Sequence, residues 1–93
     1  MNLASALDVI NSLRPVTFKY IPEYSKDQNI QTGFIAQELR ESLKNQVYVD
    51  GIVQQGTEYL NVAYQNLIPI LVKSIQELKA EIEILKSQHA HTI

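Results

Sequence analysis

Between Tyr64 and Gln88 the apolar residues Ile68, Leu71, Ile75, Leu78, Ile82 and Leu85 recur at alternating spacings of three and four. This is the a/d seam of a coiled coil, with Ile at each a position and Leu at each d. Three heptads at about 1.5 Å per residue predict a rod of roughly 30 Å, and its apolar stripe is narrower than that of a core-facing helix, so it calls for a partner helix. The flanking charges suit parallel association of identical chains. Glu81 takes a g position and Lys86 the following e, so Glu81 of one chain meets Lys86 of its neighbour, and Ser74 with Lys79 gives a weaker version one heptad earlier. Pro69 has to lie in the first turn or so, since farther in it would delete a backbone bond, and this puts the helix start between Val62 and Asn66. The alternative is a single amphipathic helix packed on its own domain.

Upstream, the periodicities are shorter. Leu3, Ala6, Leu7, Ile10 and Leu13 mark one face of a helix over residues 3–13, with Asn2 as candidate N-cap and Pro15 as terminator. Pro15 also pushes Arg14 towards extended geometry. Val16, Phe18 and Tyr20 alternate with Thr17 and Lys19, which predicts a half-buried strand over Val16 to Ile21, closed by Pro22. Residues 23–31 are polar and aperiodic and predict an exposed loop. Phe34 and Ile35 read as buried, and Gly33 stands where a close backbone approach or a positive φ is needed. A helix follows over residues 36–44, with Ala36, Leu39 and Leu43 inside and Glu38, Arg40 and Glu41 outside. Three short β signals come next, Val47 to Val49, Ile52 to Gln54 and Glu58 to Val62. Asp50-Gly51 supplies a hairpin turn between the first two and Gly56 the second bend, which together predict a meander. The fold class is α+β. A small globular part over residues 1–63 holds two short helices and a few short antiparallel strands, a coiled-coil helix covers 64–88, and 89–93 is a frayed tail.

Composition narrows the function classes. A chain of 93 residues is one domain, and once the rod is subtracted its core is marginal. With no cysteine to form disulfides or thiolate metal sites, association is the remaining route to stability. The net charge of −2, with acidic and basic residues interspersed, is not the footprint of a nucleic-acid binder. No apolar run approaches the roughly 18 residues of a membrane span, and the N-terminus lacks the layout of a signal peptide. Met1 is either native or an added start.

Three blocks carry a family resemblance: Ala-Leu-Asp-Val-Ile-Asn-Ser-Leu-Arg-Pro-Val-Thr-Phe-Lys-Tyr at 6–20, Gly-Phe-Ile-Ala-Gln-Glu-Leu at 33–39, and Tyr-Leu-Asn-Val-Ala-Tyr-Gln-Asn-Leu-Ile-Pro-Ile-Leu-Val-Lys-Ser-Ile-Gln-Glu-Leu at 59–78. In this order, over residues 6 to about 86, they resemble the C-terminal intramolecular chaperone domain of phage tail spikes and tail fibres, the self-cleaving endosialidase-type domain. The resemblance implies a parallel homotrimer at the end of a fibre. It would register three chains, assist folding of the preceding β-rich shaft and then be released by autoproteolysis. The implied partners are other copies of the chain and the shaft of its own precursor, with no nucleic acid, membrane, cofactor or metal. The implied location is the cytoplasm of the infected host during assembly, and the virion tail if the domain is retained. Ile at a with Leu at d by itself favours two strands, and the family's trimer is preferred because a globular part can override three heptads. A non-cleaving coiled-coil interaction module is the alternative.

The family's cleavage site carries a Ser-Asp-x-x-Leu-Lys-like motif, in which Ser attacks its preceding peptide bond and a Lys of depressed pKa acts as base. This sequence has no such motif. Ser5 and Ser12 lack a following Asp, and Lys19 falls in the predicted strand. The expectation is therefore no catalytic residue and no protease activity in this chain. Arg14, Pro15, Gly33, Phe34, Gln37, Glu38, Tyr64 and Pro69 match the resembled motifs, with Arg14 expected to pair with an acidic residue. His89 and His91 read as tail residues, the alternative being a metal or anion cluster on a trimer axis. Glu77, Glu81 and Glu83 with Lys73, Lys79 and Lys86 read as a solvated, salt-bridged surface.

Overall fold

A computed structural model describes residues 3–57 and 59–91. The order of elements is α1 (Leu7–Asn11), β1 (Val16–Phe18), β2 (Gln31–Gly33), α2 (Ala36–Leu43), α3 (Val49–Ile52), β3 (Val53–Gln55), β4 (Leu60–Val62), a 3-10 turn (Tyr64–Leu67) and α4 (Ile68–His91). The class is α+β. Two compact units are present, one joining the N-terminal segment through Ser12 to the chain from Ala63 onward, the other Leu13–Val62. α1 is thereby grouped with the long helix and not with the strands that follow it.

In the Leu13–Val62 unit, β1 pairs antiparallel with β2, Val16 facing Gly33 and Phe18 facing Gln31. Val16 and Phe18 are half-buried and Thr17 is exposed, as their alternation requires. The strand stops at Phe18 and does not reach Ile21, because the chain then turns on Ile21, whose carbonyl accepts the N–H groups of Tyr24 and Ser25. Phe18, Tyr20, Tyr24 and Tyr59 form a continuous run of ring contacts, with centroids 5.1–5.3 Å apart. Polarity assigns Gln31 to the loop, yet it opens β2, half-buried, while its side-chain amide donates to Asp27 Oδ2 and the Asn29 carbonyl, so local bonds hold a polar residue on the strand. Among the described residues no glycine has positive φ, so Gly33 is explained by its place in the ladder opposite Val16 and not by a left-handed turn. α2 buries Leu39 and Leu43 and leaves Glu38, Arg40 and Glu41 outside.

The expected meander is corrected. Residues 46–52 wind onward from α2 in successive tight turns, Gln46 N–H to the Leu43 carbonyl, Val49 N–H to Gln46 and Gly51 N–H to Tyr48, so Asp50 and Gly51 lie in the helical turn α3 and form no hairpin. Burial gives the reason. The adjacent residues Ile52 and Val53 are both buried, which a strand with its period of two cannot achieve on one face, whereas a helical turn handing over to a strand can. Val47 is correspondingly 98% exposed. The one hairpin in this region is β3–β4, with Val53 opposite Val62 and Gln55 opposite Leu60. Gly56 closes it through its N–H to the Tyr59 carbonyl, and Glu58 lies outside the described residues.

In the other unit, α1 packs on α4 and is shorter than the expected 3–13. Its N-cap, Ala6, has no side-chain oxygen, and the acceptor comes from elsewhere. Glu77 of α4 accepts the N–H of Ala6 at 2.7 Å, the N–H of Leu7 at 3.4 Å and the hydroxyl of Ser5 at 2.8 Å. That carboxylate takes over the N-cap role assigned to Asn2, which lies outside the described residues. Among the described residues, Ala6, Leu67 and Ile70 are the buried apolar residues of this unit, with Ser74 also buried. Pro69 is the second residue of α4, where its missing N–H costs little, and the helix continues three residues past Gln88 to His91.

The two described helix-turn and hairpin glycines respond oppositely to a methyl group. A Cβ on Gly56 would stand 2.6 Å from the Tyr59 carbonyl oxygen and 2.6 Å from Asn61 Nδ2, whereas one on Gly51 meets nothing within 4 Å. Urea unfolding of Gly56→Ala should show a loss of about 1–3 kcal/mol, and Gly51→Ala a gain of about 0.4–1 kcal/mol. A second expectation concerns pH. The Ala6 N–H and the Ser5 hydroxyl hold the Glu77 carboxyl below its usual range against the opposing effect of burial, with Leu7 N–H and Lys73 adding lesser depressions. A carboxyl depressed by folding stabilises fully above the unfolded glutamate pKa of about 4.3 and loses that stabilisation as pH falls through the folded value. At fixed chain concentration, Glu77→Gln should lower stability at pH 7 and flatten its decline between about pH 5 and pH 2; an unchanged acid limb would remove Glu77 from that role.

Candidate functional site

α4 presents two faces of different fate. Ile70, Ser74 and Glu77, spaced by four and three residues, lie on the side covered within the unit. Ser74 donates its hydroxyl to the Ile70 carbonyl at 2.9 Å, so this polar group is satisfied inside its own helix. About a third of a turn round, Ile68, Leu71, Ile75, Leu78, Ile82 and Leu85 form a continuous line with exposures of 43% to 65%. Among the described residues fifteen large hydrophobic side chains are exposed, and eight of them belong to α4. Six of these eight make up that line, with Val72 and Ile84 off it; scattered apolar side chains are ordinary and a contiguous line is not.

The six seam residues named from the heptads therefore share one solvent-facing side of one helix. Glu81 and Lys86 are exposed on its flanks. Ser74 does not act with them: it is buried and bonded to Ile70, so the weaker Ser74–Lys79 pairing across chains is not available.

The motif residues of the Leu13–Val62 unit converge in part. Arg14 Nε donates to Glu38 Oε1 at 2.8 Å and Nη2 to Oε2 at 2.6 Å, a two-bond guanidinium–carboxylate pair that ties the residue before Pro15 to the first turn of α2. The Arg14 hydrogen bond holds the Glu38 carboxyl below its usual range; burial opposes this, and the guanidinium charge adds a lesser depression. Pro15 leads into β1, Gly33 pairs with Val16, and Phe34 is half-buried just after β2. Gln37 is exposed beside Glu38. Tyr64 opens the 3-10 turn and Pro69 the long helix. The contact that sequence reasoning missed is Glu77, read there as a surface charge. Its donors are mainly backbone N–H groups some seventy positions earlier, and the only trace in the sequence is that the N-cap position ahead of α1 is an alanine, which has no capping side chain.

Other concave or charged features are modest. An open cleft of about 550 Å³ is lined by Glu23, Tyr24, Gly56, Thr57, Tyr59 and Asn61, and its two tyrosines pack edge-to-face on each other. Among the described residues no group of three or more His, Cys, Asp or Glu is placed to hold a metal ion, and the side chain of His91 lies outside them. Among the described residues no helix is long and apolar enough to cross a membrane.

Residues 1–48 match the family described as chaperone of endosialidase, a stretch that runs through α1, β1, β2 and α2 and stops short of α3. No curated protein and no solved structure gives a significant match. With 48 of its 93 residues matched, the chain belongs to the chaperone-of-endosialidase family.

Proposed function

We propose that three copies of this chain associate in parallel through the α4 seam, and that the trimer registers the chains of a viral tail fibre or spike and assists folding of the β-rich shaft that precedes the domain. The observation that carries this is the solvent-facing line Ile68, Leu71, Ile75, Leu78, Ile82 and Leu85 on a helix whose adjacent face is already filled by its own chain. Each such side chain contributes about 1.5–3 kcal/mol when fully buried, so a lone chain leaves much of its attainable stability unused. Glu81 and Lys86 stand on the flanks where a parallel neighbour would offer the opposite charge. Threading three β-rich chains together is slow because distant contacts form only after a large entropic cost, and a helical seed lowers that cost by raising their effective concentration.

The chain itself cuts no peptide bond; any autoproteolytic release depends on a Ser/Lys motif that this sequence does not contain. Ser5 donates its hydroxyl to Glu77, a carboxylate of lowered proton affinity, which suits a structural contact better than a general base. Ser12 donates to the Val9 carbonyl at 2.6 Å. The domain acts in the cytoplasm of the infected host during assembly, and on the virion tail where it is retained, with copies of itself and the shaft as partners.

Sedimentation equilibrium over a wide concentration range should give a trimer, and Leu71→Asp with Leu78→Asp should give a monomer, because two charges per chain would enter the seam. A dimer would remove the trimer, and a monomer for the unaltered chain would remove the assembly role altogether. Fused to a β-helical shaft, the unaltered domain should raise the yield of soluble trimer several-fold over the doubly substituted one; equal yields would leave an interaction module without chaperone action. Intact mass spectrometry of the purified chain should show no fragments over days, and a cut before Ser5 or Ser12 would contradict the assignment.

A further inference from the structure

The Glu77 contact fixes more than the start of α1. Glu77 is the tenth residue of α4, about 14 Å along the axis from Ile68, and falls between the seam residues Ile75 and Leu78. It grips three consecutive residues, and two of its donors are backbone N–H groups of Ala6 and Leu7, so it holds the path of the chain and not merely one side chain. Directly beneath, Ala6 is fully buried while Ile70 and Ser74 close the packed face. Ala4, the residue just ahead of this contact, is exposed.

We propose that Glu77 is a positioning residue that ties the incoming chain to the seam helix at a fixed axial level, so that the register set by the seam is handed on to the three chains ahead of it. This rests on the association proposed above; the grip itself lies within one chain. Distances explain why such a tie is needed. A one-heptad slip of a helix is about 10 Å, and five residues of loosened chain wander over roughly 12 Å. An untied segment of that length would therefore blur a full heptad of register. A carboxylate suits the position because the three groups converging on it are all donors, and glutamine would turn an amide N–H₂ towards one of them.

The test uses the absence of native cysteine. Spin labels are placed at Ala4→Cys, or as a control at the exposed Gln88→Cys, and the distances between copies are measured in three backgrounds: unaltered, Glu77→Gln and Ser5→Ala, with sedimentation run alongside. The expected result is a narrow Ala4 distribution in the unaltered trimer that broadens by about 10 Å in Glu77→Gln and by less in Ser5→Ala, while the Gln88 distribution and the trimer persist. An Ala4 distribution equally narrow in Glu77→Gln, or equally broad in all three, overturns the proposal. If Glu77→Gln dissociates the trimer, the distance from Ala4→Cys to Lys79→Cys within one chain decides, since it needs no neighbour: broadening in Glu77→Gln supports the tie, and an unchanged distribution overturns it. Sedimentation separates the two levels, because a monomeric unaltered chain overturns the assembly role and the handing on of register, whereas the distance from Ala4 to Lys79→Cys within one chain still reports the grip.

Discussion

α4 carries more apolar surface than its own chain can cover. Its Ile70 face is filled and its Ile75 face is not, and every other feature of this unit is arranged around that imbalance. Filling the first face requires α1, a helix of five residues that has no capping side chain and could not persist alone. The carboxylate of Glu77 supplies the missing acceptor and, in doing so, orders the segment that closes the packed side. The exposed side is left continuous, with charges only at its edges. A small core that could hide a few of these side chains would compete with association, and the buried residues of this unit, Ala6, Leu67 and Ile70 among those described, lie elsewhere.

The Leu13–Val62 unit solves a different problem with similar means. Its two-stranded sheets have only three residues per strand, too short to stand without support. Leu39 and Leu43 of α2 with Ile52 and Val53 give it an apolar centre, and the Arg14–Glu38 pair fixes the approach to β1 against the start of α2. An exposed ion pair contributes little by itself, but two parallel hydrogen bonds restrict direction as well as distance, and direction is what a short strand needs. In each unit a carboxylate on one helix therefore holds a segment close to the N-terminal side of a short element.

How much of this was legible depended on whether the signal was periodic or geometric. The line from Ile68 to Leu85 and the inner face of α2 were plain because their spacing matches the helical repeat over several turns. The meander failed because Asp50-Gly51 suits a hairpin and a helical turn alike, and adjacent burial of Ile52 and Val53 is not written in either residue. β2 was hidden because Gln31 and Thr32 are polar residues in a strand defined by its partner. Glu77 could not be recovered at all, since a glutamate bonded to distant backbone N–H groups has the same local sequence as one in water.

The same distinction bears on the family match, which ends before the seam begins. The matched stretch contains the contacts that depend on particular residues: Arg14 with Glu38, Val16 with Gly33, Leu39 and Leu43 in the core. A seam requires only an apolar side chain at a and d, and many sequences satisfy it equally. For the association proposed above, the rest of the chain has to leave the seam open and hold it level with the polypeptide ahead of it. The first condition is met by the exposed line on α4, and the second is what a carboxylate gripping residues 5–7 from the middle of that helix is placed to provide.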